Sequence, residues 1–180
     1  MLFYPTVSKN DLVIKHAFRR VRERVEGYGV RVYIGDVKDP NTGTFDGSEI
    51  GIDWANDADT SLFVLAHLFG HTVQWNTVPS YRTIDARARP GAPAEVIEEA
   101  RLYERNASRL GLTLLHEAGV TDRDQWISDW WASDWKYLST YYATGKLPEW
   151  QSCRSTGHSL LEPLAIPEFV LARYLVRYAF

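Results

Sequence analysis

The sequence predicts an α+β domain: one helix, two strands, then helices only, with the strands paired in a small antiparallel sheet near the N-terminus. Three observations carry this expectation. Apolar residues recur at helical spacing between 9 and 29. Two short runs rich in β-branched and aromatic residues follow between 30 and 53. Every later periodic stretch has the helical repeat. A length of 180 residues suits a single domain spanning 1–180, large enough to bury a sizeable core.

The elements follow in order. "KNDLVIKHAFRRVRERVEGYG" (9–29) places Leu12, Val13, His16, Ala17, Val21 and Val25 at helical spacing, with Asn10 or Asp11 as cap and glycines 27 and 29 as stop. "VRVYIGDV" (30–37) reads as a strand, "DPNTG" (39–43) as a turn, and "TFDGSEIGID" (44–53) as a second strand paired with the first. After Asp57–Thr60, "SLFVLAHLFGHTVQW" is apolar nearly all round, the mark of a buried helix. Residues 76–93 carry Pro and Gly and read as a long connection. "AEVIEEARLYERNASRLGLTLLHEAG" (94–119) is a long amphipathic helix, interrupted near Gly111. "TDRDQWISDWWASDWKYLSTYYATG" (121–145) is a helix with a Thr or Asp cap, and a last helix begins near Pro167.

Composition narrows the function. A net charge of −3 leaves no basic footprint for nucleic acid. No run approaches the ~18 apolar residues of a membrane span. The opening "MLFYPTVSKNDLVIK" lacks the layout of a signal peptide, and the single Cys153 excludes an internal disulfide, so a cytoplasmic location is expected. Seven tryptophans and ten tyrosines are read first as core, then as pocket lining.

The chemistry-bearing stretch is "LAHLFGHTVQWN" (65–76). His67 and His71 stand four apart, so at 100° per residue both imidazoles leave the helix on one face, one turn apart. This is the spacing with which two histidines of one helix reach a single ion. The alternative reading is a pair of core histidines satisfied by carbonyls. In the zinc-hydrolase pattern H-E-x-x-H the glutamate after the first histidine is the general base; here that position is Leu68.

"LFVLAHLFGHTVQW" resembles the zinc helix of the ImmA/IrrE-type metallopeptidases, in which an apolar run leads into H-E-x-G-H-x-x-Q; Gly70 and Gln74 both match. "ERNASRLGLTLL" (104–115) is similar to the family's second helix, with Glu104 on the third metal ligand, Ala107 on its alanine and Leu114–Leu115 on its leucine pair. The likeness runs over about residues 10–117 in element order. It implies a zincin-like fold whose helical part carries the metal site. The ligands would be His67, His71 and Glu104, holding one divalent ion, zinc first and iron(II) as the alternative. Leu68 and Asn106 depart from the family pattern at its base and at a second carboxylate.

Three functions are consistent with that reading: a hydrolase-derived metalloenzyme with atypical or lost peptidase activity, a non-haem iron oxidase or oxygenase, and a non-catalytic binding protein. A small molecule or peptide is the expected substrate, with Leu68, Gln74 and Trp130 lining its pocket. His116, Glu117 and His158 are the candidates for a displaced base. Cys153 and His158 match no metal-ligand spacing and are read as parts of a loop.

Overall fold

The computed structural model describes residues 9–38 and 40–180. Asp39, the first residue of the expected turn, lies outside the described residues, as does the side chain of the expected cap Asn10. The architecture is mixed α+β, with helices packed around and beside a four-stranded sheet.

Helix α1 (Lys9–Gly27) buries Ile14, Ala17, Val21 and Val25, a stripe at spacings of three and four. Leu12 and Val13, expected on that stripe, face solvent, because they lie 100–200° around the helix from Ile14. The expected second strand is two strands, β2 (Gly43–Phe45) and β3 (Glu49–Asp53), joined by a tight turn. Asp46 builds that turn: its Oδ1 accepts from the Ser48 and Glu49 amides, and Gly47 takes a φ of 92°.

The sheet order is β1-β3-β2-β4, where β1 is Arg31–Gly35 and β4 is Tyr178–Ala179. Strand β1 runs parallel to β3, with Val32 beside Ile50. The sheet is therefore mixed rather than antiparallel. The hairpin reverses the chain between β1 and β3, so the outer partner of β3 meets it in the same direction.

Helix α2 (Ala58–Thr77) is capped by Asp57, which accepts from the Thr60 amide, and every residue from Leu62 to Trp75 is buried. It packs against α1, the sheet and α4 (Ala94–Glu117), which explains its apolar surface on all sides. Between α2 and α4 lie a 3-10 turn, Pro79–Thr83, and the single-turn helix α3 (Ile84–Arg87). Helix α4 is continuous through Gly111. Helix α5 (Asp124–Thr144) starts without a side-chain cap and stops at Gly145, whose φ is 70°. The short α6 (Trp150–Cys153) follows.

The last helix expected from the sequence is not formed. Residues 154–177 cross the surface without helix or strand and deliver β4 to the free edge of β2. Laid out, it sets Phe169 against Tyr28 and Phe69, Tyr174 against Trp75, and Tyr178 against Phe45. Among the described residues, no helix is long and apolar enough to cross a membrane.

Candidate metal centre

Small residues decide how close α2 and α4 come. A Cβ added at Gly70 would run into the Ala107 backbone, and one added at Gly111 would stand 2.7 Å from the Ala66 carbonyl oxygen. The helix axes cross closely at these positions, and Glu104, one turn before Ala107 and Ser108, is carried over the imidazoles of His67 and His71. The three side chains are buried and bring one ligand atom each into a single cluster.

The distances are short and mutual. Glu104 Oε2 lies 3.0 Å from His67 Nε2 and 3.1 Å from His71 Nε2, and the two Nε2 atoms are 2.9 Å apart. The outer nitrogens are held from behind: His67 Nδ1 lies 2.9 Å from Ser108 Oγ, and His71 Nδ1 donates to Gln74 Oε1 at 2.9 Å. Gln74 is oriented in turn, since its Nε2 donates to the Tyr103 carbonyl at 2.8 Å. Side-chain partners of this kind fix the tautomer and aim of a ligating histidine.

Five aromatic rings surround the two imidazoles. Phe63 stacks on His67 at 5.2 Å, Phe45 on His71 at 5.7 Å, and the Tyr103 ring lies 4.2 Å from His71. Phe180 stands 5.1 Å from His67 and Tyr178 6.3 Å from His71.

Burial, and then the neighbouring His71, lower the His67 pKa to about 4, so this imidazole is neutral at pH 7. Burial alone would raise the Glu104 carboxyl, but His71 and His67 outweigh it and bring it to about 2. Glu104 is thus an anion in an apolar enclosure. The groups that face it within ion-pair distance among the described residues are the two imidazoles.

That donor set fits a cation. In the tautomer that carries its proton on Nδ1 and donates it to Gln74, His71 turns the Nε2 lone pair inward, an acceptor facing the Glu104 carboxylate at 3.1 Å. A positive centre relieves this opposition. Tetrahedral bonds of about 2.0–2.1 Å space ligand atoms roughly 3.3 Å apart, a few tenths of an ångström from the spacing seen.

No family model, curated protein or solved structure matches this chain.

The other expected site residues are dispersed. Leu68 is buried on the sheet side of α2, next to Gly43 of β2. Trp130 stacks on Phe63 at 4.6 Å, so Phe63 stands between it and His67, and its indole N–H donates to Asp59. His116 bonds Asp124 at 2.7 Å near the end of α4, and His158 bonds Ser155 at 2.7 Å beyond α6. Neither belongs to the cluster. Glu117 pairs with Arg24 and Tyr28 at the surface, and Cys153 is buried.

Two carboxyls that sequence reasoning passed over respond to Glu104. Burial, then the Glu104 charge, raise Asp85 of α3 to about 7, with His71 opposing. The same two causes push Asp134 of α5 well above the usual carboxylate range, and its Oδ2 is buried without a hydrogen-bond partner. Nothing local in the sequence marks either. Ser108 carried a readable signal: it lies one turn after Glu104 and so shares its face.

Proposed function

We propose that this chain is a metalloenzyme of hydrolytic type in which His67, His71 and Glu104 hold one divalent ion, zinc before iron(II). The observation that carries the reading is the convergence of two imidazole nitrogens and a carboxylate oxygen at 2.9–3.1 Å inside an apolar enclosure, with both outer nitrogens already engaged. Three protein ligands leave a further coordination position open, which separates catalytic from closed structural zinc sites. A bound zinc ion there supplies Lewis-acid polarisation and lowers the pKa of water. The likeness of the α2 and α4 stretches to ImmA/IrrE-type metallopeptidases supports a zincin-like ancestry, with a small molecule or peptide as substrate.

The protein's own residues do the rest. Ser108 and Gln74 orient the imidazoles, Phe45, Phe63 and Tyr103 exclude water, and Leu68 removes the usual base. Asp85 of α3, raised to about 7 by burial and the Glu104 charge, is the carboxyl to test for proton handling near neutral pH.

Elemental analysis of chain purified without added metal, once in air and once anaerobically, tests the proposal. Zinc near one equivalent in both preparations is the expected result. Iron(II) retained only without oxygen selects the oxidative reading, which the dry aromatic wall favours. Protein that stays folded and metal-free, and takes up neither ion, refutes the proposal.

A further inference from the structure

The rings around the histidines differ in how they are held. Phe45 belongs to β2 inside the sheet, Phe63 to α2 and Tyr103 to α4. Tyr178 and Phe180 belong to a segment whose only regular structure is the two-residue β4. Strands this short are marginal by themselves.

Backbone bonds, ion pairs and aromatic packing hold this segment to the body, with Tyr174 on Trp75 and Tyr178 on Phe45. Phe180 exchanges backbone hydrogen bonds with Gly43, its amide donating at 2.8 Å and its carbonyl accepting at 3.2 Å. The Tyr174 amide donates to the Asp46 carbonyl at 2.9 Å, and the Ala172 amide to Asn76 Oδ1 at 2.9 Å. Ion pairs add to these: Arg177 meets Asp46 at 2.9 Å and Glu49 at 2.8 Å, and Arg173 meets Asp46 at 3.2 Å. Between these contacts Val170, Leu175 and Val176 stand out from the body, at 85%, 107% and 65% exposure. The strand pairing is two residues long and is flanked by exposed chain, and such a stretch opens more readily than the core.

We propose that residues 170–180 form a flap that gates the His67–His71–Glu104 centre, closing it when β4 pairs with β2 and opening it when that pairing is released. This gives the regulation of the site proposed above and rests on that reading for its chemical meaning. Closed, Phe180 lies on His67 and Tyr178 beside His71. Released, the flap withdraws both rings and frees the backbone groups of β2 along its outer edge, while Phe63, Phe45 and Tyr103 stay with their own elements. Two arginines fasten the flap to the hairpin turn, so its closure weakens as salt screens those pairs.

A lock decides the matter without removing any residue of the site. Thr44 and Ala179 are cross-strand partners. They flank the hydrogen-bonded Gly43–Phe180 pair, which makes them a close, non-hydrogen-bonded pair whose Cα atoms stand about 4.5 Å apart, within disulfide range. The chain carrying Thr44→Cys and Ala179→Cys is treated with a chelator, then with diethyl pyrocarbonate, and modification of His67 and His71 is followed by peptide mass spectrometry. The natural Cys153 is buried and leaves the engineered pair to form the bond.

Oxidised protein is expected to modify both histidines at least about tenfold more slowly than the same protein after reduction, because the rate follows the open fraction. Arg173→Ala with Arg177→Ala is expected to modify them faster than the unaltered chain. Equal rates before and after reduction overturn the proposal, and so does a reduced protein whose histidines stay unreactive while exposed His16 is modified. Uptake of Co(II) by the same samples reads the metal site separately. No uptake removes the metal proposal and leaves the gate to be judged on the modification rates alone.

Discussion

Leu68 stands where a glutamate would complete H-E-x-x-H, and its surroundings say what a carboxylate would meet there. The side chain is fully buried between α2 and β2, so close to the strand that a Cβ on Gly43 would come 2.9 Å from Leu68 Cδ1. Leu68→Glu therefore introduces a charge into a packed apolar layer. We expect it to lower the unfolding free energy by about 3 kcal/mol or more and to yield no peptide hydrolysis. Urea denaturation and a peptidase assay check both halves. A gain of about 10²–10⁴ in hydrolysis would instead show that position 68 faces substrate. Ser108 belongs to the same scale: Ser108→Ala leaves His67 Nδ1 without its partner, and metal affinity is expected to fall about tenfold or more in a competition titration.

At the scale of elements, the crossing of α2 and α4 places Glu104 on the histidines, and Gly70 sets its closeness. Gly70→Ala forces a Cβ into the Ala107 backbone and is expected to cost about 2–3 kcal/mol and to weaken metal binding, since the helices must part. Gly27→Ala, where nothing lies within 4 Å, is the matched control and is expected to be neutral or slightly stabilising. Equal effects of the two would contradict this account of the crossing.

This scale also shows what was legible in the sequence. The stretches that became α1, α2, α4 and α5 were readable because helical periodicity or an unbroken apolar run is a local signal. The His67–His71 pair was readable for the same reason, and Glu104 through a likeness of motif. The mixed sheet was not, because strand direction depends on where the chain turns and not on which residues form the strand. The final segment misled because Phe169, Leu171, Tyr174 and Tyr178 find partners on other elements, and those contacts override its helix-like composition. Asp85 and Asp134 were invisible for a related reason: each acquires its character only from Glu104, on a different helix.

At the scale of the whole molecule, the buried centre couples stability to pH. In metal-free protein the folded chain keeps His67 neutral down to about pH 4, whereas the unfolded chain protonates it near 6.5. The unfolded state therefore binds more protons in that window, and stability falls as pH drops through it, by on the order of 3 kcal/mol. Asp85 acts with the opposite sign. Its folded pKa of about 7 exceeds the unfolded 3.8, so the folded state holds the extra proton and stability falls as pH rises between those values, levelling off above about 7. Asp85→Asn is therefore expected to gain on the wild type progressively from about pH 4 to pH 7. Urea titrations at several pH values read the difference, and a constant offset across the range would remove Asp85 from this role.

The central claim is that His67, His71 and Glu104 form one metal-binding unit, and the most direct measurement is a calorimetric titration of chelator-treated protein with Zn(II). The account predicts saturation at one ion per chain in the wild type, with binding lost or severely weakened in His67→Ala, His71→Ala and Glu104→Gln while each variant keeps its helical circular dichroism. Absence of heat and uptake in folded wild-type protein, or an equal stoichiometry and affinity in all three variants, would contradict it.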